Sequence, residues 1–388
     1  MKLRAIDYNS VRGKYVLLRV DFNVQITDGK ILDTFRIEQS MPTINKLRSS
    51  GARVVLCAHL GRPKGEHVPE LSLRPIADYM KIPFVDDCLR RDFLADMRDG
   101  DVVLLENVRF YRAEEENDLD FAKKLATGFD LFVNDAFAVS HRAAASLVGV
   151  TEFLPSAAGE LLRTEVENIS RILEKPKHPM LAIVGGAKVS GKIGVLKTLC
   201  KLADTVVVGG ALGTTFNYAC GANPGNSLYE PDMAATAREI MDFAHAHNCE
   251  FLMPLDKGVG HEFAPSASRT NKMIDEITDT DVIIDDGPKT AERNIAAINK
   301  AATVVWNGTF GMAEWGATWG DSSFRVAHAI AKQTNAGKLI SVVGGGETVA
   351  ALDAAGVRDD ITYVSTGGGA FLEFIERGTL PALEILKV

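Results

Sequence analysis

R-V-V-L-C-A-H-L-G-R-P, residues 53–63, is a short apolar, β-branched run that breaks directly into histidine, glycine, arginine and proline. An unbroken apolar run of this length reads as a strand buried on both faces, as in a parallel sheet, and the break marks its carboxyl end. Comparable runs recur at Tyr15–Val20, Val102–Leu105, Leu131–Val133, Leu181–Val184, Thr205–Val208, Val282–Ile284, Thr303–Trp306, Leu339–Val343 and Thr362–Val364, with helical patterns between them. So many strands exceed one comfortable sheet, and the expected fold is α/β: two doubly wound, Rossmann-like parallel-sheet domains joined by an interdomain helix. That helix is expected at 159–176, where Leu161, Leu162, Val166, Ile169, Ile172 and Leu173 keep a helical period and Pro176 ends it. It would separate a domain at 1–158 from one at 177–372.

Composition narrows the function classes. With 46% hydrophobic and 24% charged residues, the 388-residue chain can build a real core and is neither disordered nor a disulfide scaffold. A net charge of −8 opposes any broad polyanion-binding surface, so no nucleic-acid partner is expected. Five widely spaced cysteines without a C-x-x-C suggest neither paired disulfides nor a zinc knuckle and fit a reducing cytoplasm. The start M-K-L-R-A-I-D-Y places charges where a signal peptide needs an apolar run, and no stretch reaches the ~20 apolar residues of a membrane span. A soluble, unprocessed protein without membrane partners is expected.

In open α/β sheets ligands bind beyond the carboxyl ends of the strands. The first-half strands end in D-F-N (21–23), H-L-G-R-P (59–63), E-N-V-R-F (106–110) and N-D-A-F (134–137), the last followed by His141 and Arg142. Arg62, Arg109 and Arg142 beside His59 suit a small phosphorylated or carboxylated ligand, because guanidinium forks match oxyanion geometry. Taken singly, each arginine could equally form a surface ion pair, and His59 could be a hydrogen-bonded core residue. The second-half strands end instead in glycine: G-G-A-K (185–188), G-G-A-L-G (209–213), D-D-G-P (285–288), W-N-G (306–308), G-G-G-E-T (344–348) and S-T-G-G-G-A (365–370). Glycines between strand and helix let backbone N–H groups approach phosphate oxygens, which suits a nucleotide. G-A-K-V-S-G-K-I (186–193) fits the first part of a Walker A loop, and V-I-I-D-D (282–286) imitates a Walker B strand, but Ile193 stands where a Ser or Thr hydroxyl is needed. A P-loop NTPase stays open on these residues, and the charged stretch Arg112–Asp118 reads as a solvated helix entrance.

Taken in order, these strand ends resemble the phosphoglycerate kinase family. The resemblance runs from R-V-D-F-N-V (19–24) through D-T-F-R-I, H-L-G-R-P-K-G, L-L-E-N-V-R-F-Y, V-N-D-A-F, F-L-P-S-A-A-G, G-G-A-K-V-S and V-V-W-N-G to V-S-T-G-G-G-A (364–370), nearly the whole chain. It implies a glycolytic, cytoplasmic and monomeric kinase that moves a phosphoryl group reversibly between 1,3-bisphosphoglycerate and ADP, giving 3-phosphoglycerate and MgATP. By the same resemblance Asp21, Asn23, Arg36, His59, Arg62, Arg109 and Arg142 would hold the phosphoglycerate, with Arg36 near its carboxyl group. Gly186, Lys188, Lys192, Asn307, Glu314, Gly345, Gly346, Glu347 and Thr348 would form the nucleotide side, with Glu314 at the ribose. Glu347 would meet Mg2+, and Arg36 and Lys192 would balance charge on the transferring group. The tail, 373–388, would pack back on the first domain, and closure about the 159–176 helix would bring the substrates together.

The sequence departs from the family pattern at several positions. Glu347 stands where Asp is usual, Thr309 where Pro is usual, and Gly191 where Asp is usual. Ala138, Val139 and Ala144 replace the usual Gly, Thr and His. Arg142 is retained, so altered kinetics are expected rather than lost activity, with a non-catalytic binding protein on the same fold as the alternative.

Overall fold

Alternation along each central strand builds the first unit. Val16, Leu18, Val54, Leu56, Val102 and Leu104 enter one apolar cluster, while Leu17, Val55, Cys57, Val103 and Leu105 enter another. Successive side chains point to opposite sheet faces, so an unbroken apolar run serves two cores at once. The computed structural model describes residues 1–388 as two units, Met1–Asn168 with Thr379–Val388, and Ile169–Gly378. In the first, β1 (Tyr15–Arg19), β2 (Arg53–Cys57), β3 (Phe84–Val85), β4 (Val102–Leu105), β5 (Leu131–Asn134) and β6 (Ser156–Ala158) form a parallel sheet in the order β3-β4-β2-β1-β5-β6. Helix α1 (Phe35–Ser49) follows β1, and α2 (Glu160–Glu174) follows β6.

Helix α2 is the element expected at 159–176, and the two units divide inside it, between Asn168 and Ile169. Its N-terminus is tied to the first unit: Asp135 Oδ1 accepts from Leu162 N (3.1 Å) and Thr43 Oγ1 from Glu160 N (2.9 Å). These side chains satisfy two of the N–H groups that a helix start leaves without intrahelical partners.

The second unit repeats the plan. Strands β7 (Met180–Val184), β8 (Thr205–Val208) and β9 (Glu250–Leu252) precede β10 (Asp256–Gly260), β11 (Thr270–Met273) and β12 (Val282–Asp286). Strands β13 (Thr303–Asn307), β14 (Ile340–Gly344) and β15 (Tyr363–Val364) then complete a parallel sheet in the order β9-β8-β7-β13-β14-β15. Helices α3 (Ile193–Leu202), α4 (Gly210–Ala219), α5 (Gly346–Ala354) and α6 (Gly369–Arg377) follow β7, β8, β14 and β15.

One expected parallel strand behaves differently. Val282–Asp286 pairs antiparallel with β10, in a separate three-stranded sheet ordered β11-β10-β12. Its charged end is satisfied in that sheet: Asp286 pairs with Lys257 of β10 at 2.5 Å, and Asp285 pairs with Arg269 at 2.8 Å. Two buried carboxylates need such partners.

The chain then returns to the first unit. Helix α6 stays in the second unit, ending at Gly378 in the left-handed conformation (φ +72°), so the returning segment is Thr379–Val388 and excludes 373–378. Arg4 N donates to Leu386 O (2.8 Å) and Ala382 N to Ser140 O (3.1 Å). Ala382 also packs with Val139 and Ala144, giving two of the atypical residues an apolar partner. No helix is long and apolar enough to cross a membrane.

Candidate functional site

In the first sheet the strand order reverses between β1 and β5, and the residues beyond β1 and its neighbour β2 converge there. Asp21, almost fully buried, accepts from Arg36 Nη1 (2.8 Å) through Oδ2 and from Asn23 N (3.1 Å) through Oδ1. Arg36 also donates to Asn23 O at 3.2 Å. Asn23 Oδ1 accepts from Gly61 N (2.9 Å) while Arg109 Nη1 donates to Gly61 O (2.8 Å), so the glycine of H-L-G-R-P is held from both sides. Gly61 has φ +64°, a conformation that suits glycine, and Arg62 follows it into solvent. Arg142 is half-buried.

His59 is buried at the centre of this group. Burial first, then the charges of Arg19, Arg109, Arg36 and Arg142, hold its pKa well below the ordinary imidazole range. Arg19 Nη2 lies 3.3 Å from His59 Nδ1, and because a guanidinium can only donate, Nδ1 accepts and the ring proton sits on Nε2. Burial and the Arg19 and Arg142 charges also push Arg109 down to about 10. A crowd of mutually repelling guanidinium groups is relieved by a multiply charged anion, so the same electrostatics that depress these pKa values favour one. Asp21, Asn23, Arg36 and Arg109 are thus linked directly or through Gly61, His59 lies against Arg19 with its Nδ1 3.9 Å from Asp21 Oδ1, Arg142 acts electrostatically on His59 and Arg109, and Arg62 stands at the solvent edge.

Two residues beneath this group receive no role in the motif reading. Arg19, 1% exposed, donates to Ser146 Oγ (2.8 Å) and Val20 O (2.6 Å). Glu114, also 1% exposed, accepts from Ser146 N (2.8 Å) and Ser146 Oγ (2.6 Å). Glu114 corrects the reading of Arg112–Asp118 as a solvated stretch: Arg112 and Glu116 are exposed, but Glu114 points inward to satisfy Ser146. An arginine interrupting the run Y-V-L-L-R-V was the available signal for Arg19.

The second sheet reverses between β7 and β13, and there backbone meets backbone. Gly185 N donates to Asn307 O (2.8 Å) and Gly186 N to Thr309 O (3.0 Å). A Cβ on Gly185 would lie 2.3 Å from Thr309 O and one on Gly308 2.4 Å from Gly185 O, so side chains are excluded from this crossing. Asn307 Nδ2 donates to Gly344 O (2.7 Å), and Thr348 Oγ1 accepts from Gly308 N (2.7 Å). Gly345 (φ +102°) turns the chain into α5, leaving exposed Gly346 and Glu347 in its first turn, where N–H groups face outward.

Lys192 Nζ donates to Gly185 O; burial pushes its pKa down to about 8, opposed by the Glu347 charge. Lys188, four residues earlier, is exposed. Gly186, Gly210, Glu314 and Glu347 border one crevice, whose apolar side includes Leu228, Phe263 and Met312. Phe263 is 59% exposed and sits 4.8 Å from the Trp315 ring, so a flat hydrophobic surface faces an opening rimmed by polar backbone. That combination suits a planar heterocycle carrying phosphates.

No three His, Cys, Asp or Glu side chains cluster as a protein-only metal cage. Glu347 beside the helix N-terminus fits the sparser arrangement of magnesium, held by one carboxylate together with substrate phosphates. Ile283 and Ile284 of the Walker B-like strand line the crevice, but Asp285 and Asp286 are fully buried against Arg269 and Lys257, so its carboxylates are not offered to a metal there.

A model of the phosphoglycerate kinase family matches residues 6–378. The phosphoglycerate kinase of Rhodopseudomonas palustris is 46% identical over 394 residues, covering 99% of this chain and 98% of that one. That of Caulobacter vibrioides is 43% identical, with 100% of both chains covered. Among solved structures, the phosphoglycerate kinase of Coxiella burnetii is similar at a TM-score of 0.85 and 40% identity, covering 99% of each chain. That of Pyrococcus horikoshii reaches a TM-score of 0.86 at 29% identity, covering 99% of this chain and 98% of its own.

Proposed function

Since the chain belongs to the phosphoglycerate kinase family, we propose that the arginine-lined strand ends of its first unit hold the three-carbon acid and the glycine-rich strand ends of its second hold the nucleotide. The enzyme is a glycolytic phosphotransferase with a carboxyl group as acceptor. It moves a phosphoryl group reversibly from 1,3-bisphosphoglycerate to ADP, giving 3-phosphoglycerate and ATP. What supports the assignment of halves is the contrast between the two switch points: four guanidinium groups around His59 at one, and glycine backbone with Lys192 at the other.

The chemistry asks for position and charge. An oxygen of the ADP β-phosphate attacks the acyl phosphate, the P–O bond to the carboxyl oxygen breaks, and a carboxylate leaves without needing a proton. Arg36, oriented by Asp21, would stabilise the departing carboxylate; Arg62, Arg109 and Arg142 would bind the distal phosphate; and His59 would donate from Nε2 to the acid. Lys192 would turn from Gly185 O to the phosphoryl in transit, where charge shifts between oxygens, and Lys188 would steady the nucleotide phosphates. Asn307 and Thr348 set the glycine crossing, while Glu314 borders the crevice at the place proposed for the ribose. Glu347 would hold Mg2+ with the nucleotide oxygens, and the ion when bound neutralises phosphate charge.

In-line transfer needs reacting atoms within roughly 3–3.5 Å, yet both substrates must enter from water. Closure about α2 on binding both substrates meets the two demands and sheds water from a readily hydrolysed acyl phosphate. A cytoplasmic monomer is the setting proposed, with the five cysteines as free thiols. The test is ATP formation from ADP and 1,3-bisphosphoglycerate with purified protein. Phosphoglycerate-dependent turnover is expected; ATP hydrolysis without phosphoglycerate, or binding without turnover, would overturn the reading.

A further inference from the structure

Beside the loop that carries Lys188 and Lys192 lies a carboxylate that no phosphate-binding motif requires. Glu230 Oε2 accepts from Val189 N (2.5 Å) and Ser190 N (3.0 Å), and Glu230 Oε1 accepts from Ser190 Oγ (2.5 Å). Three donors from two consecutive residues converge on one side chain. Its own backbone is fixed in turn, because Glu230 N donates at 3.0 Å to Thr215 Oγ1 in α4, the helix that follows the Gly209–Gly213 loop. The same segment borders the apolar side of the crevice: Leu228 lines it, and Ser227 Oγ accepts from Ile283 N at 2.8 Å.

A negative group near a polyphosphate is unfavourable by charge alone, so its presence needs another reason. Lys188 and Lys192 flank the two residues that Glu230 grips, and the loop around them contains Gly185, Gly186 and Gly191. Glycine leaves such a loop with many accessible conformations. Helix α3, which begins after Lys192, has no side-chain cap of its own. The carboxylate supplies the missing constraint and withdraws the Val189 and Ser190 N–H groups from competition for phosphate.

We infer that Glu230 is a positioning residue of the nucleotide half, a clamp that fixes the lysine-bearing loop between the two ammonium groups. It touches no reacting atom and acts through Ser190 and Val189. Its exposure is intermediate, so substitutions leave the core intact. The inference rests on the assignment of the nucleotide to the second unit.

The experiment compares wild type, Glu230→Gln, Glu230→Ala, Ser190→Ala and the Glu230→Ala/Ser190→Ala double variant. It measures kcat, KM for each substrate, ADP affinity by calorimetry without phosphoglycerate, and Tm. Loss of the clamp should lower kcat/KM for the nucleotide by about ten-fold or more and weaken ADP binding, because misplacement of loop groups is costly in rate. KM for 3-phosphoglycerate and Tm should stay near wild type. The double variant should lose little more than Glu230→Ala, since both changes remove the same contact. An active wild type with unchanged ADP affinity and kcat in Glu230→Ala would overturn the clamp alone. Loss spread equally over both substrates with a lowered Tm would also overturn it, by making Glu230 a stability residue. ADP that fails to bind the wild type, or a wild type without transfer activity, would instead defeat the assignment of halves.

Discussion

Lys192 reaches back across its own loop and donates to the carbonyl of Gly185, the residue where β7 ends. The ammonium is therefore held beside the glycine crossing before any ligand arrives, largely removed from water and with Glu347 as the opposing charge. Lys192→Ala should lower kcat on the order of a hundred-fold while leaving 3-phosphoglycerate binding nearly intact. Steady-state kinetics and direct binding decide the point, and a near-normal kcat would remove Lys192 from catalysis.

The same contact predicts a pH dependence. With the free-enzyme pKa at about 8, the ammonium form prevails below that pH and the neutral amine above it. Because kcat/KM reports groups of the free enzyme, kcat/KM for ADP should fall as pH rises through about 8. Lys192→Arg, which keeps its charge, should move the fall to higher pH; a wild-type profile flat to pH 10 would contradict the assignment.

The distal phosphate, the partner proposed for Arg62 and Arg142, keeps its charge during transfer. Replacing either with Ala should raise KM for 3-phosphoglycerate roughly ten-fold or more, the loss of a charge-assisted contact, with ADP affinity unchanged. An equal effect on both ligands would undo the division between the two halves.

In the magnesium role proposed for Glu347, Glu347→Asp should retain activity, because it keeps a carboxylate at the helix start. Glu347→Ala should need several-fold more magnesium for half-maximal rate. A magnesium titration that coincides with wild type would show that another group holds the metal.

Two glycines of one loop should respond in opposite ways. Gly186 has φ +108°, and a Cβ there would lie 2.9 Å from Lys192 Nζ, whereas a Cβ on Gly191 meets nothing within 4 Å. Gly191→Ala should therefore stabilise the protein by about 0.4–1 kcal/mol in urea unfolding, by restricting the unfolded chain. Gly186→Ala should destabilise it by roughly 1–2 kcal/mol and depress kcat as Lys192 is displaced.

The central strands were legible because a run buried on both faces needs no pattern beyond apolarity, as at Val54–Leu56. Strands at the sheet edge, such as Phe84–Val85 and Ser156–Ala158, are too short to stand out from their surroundings. Strand direction was legible wherever the run joins a βαβ sheet and failed only at Val282–Ile284, which has the same composition as its parallel counterparts but pairs antiparallel with β10. At the site, arginines and glycines could be found because they follow strands at fixed places. Arg19 left only the signal of a charge inside an apolar run, and Glu114 and Glu230 left none, since their roles depend on contacts with Ser146, Val189 and Ser190, which sequence spacing does not encode.

The return of Thr379–Val388 to the first unit bears on how the protein is made. Residues Met1–Asn168 leave the ribosome about 210 residues before the segment that completes their packing. At about 5–20 residues per second, that interval lasts roughly ten to forty seconds. Throughout it the nascent first unit lacks the Leu3–Lys387 bridge and the Ala382 contact with Val139 and Ala144, leaving apolar surface uncovered. The second unit, an unbroken span of chain, has no such wait. Nascent chains stalled shortly before Thr379 should therefore present a first half more open to proteases and chaperones than the released protein.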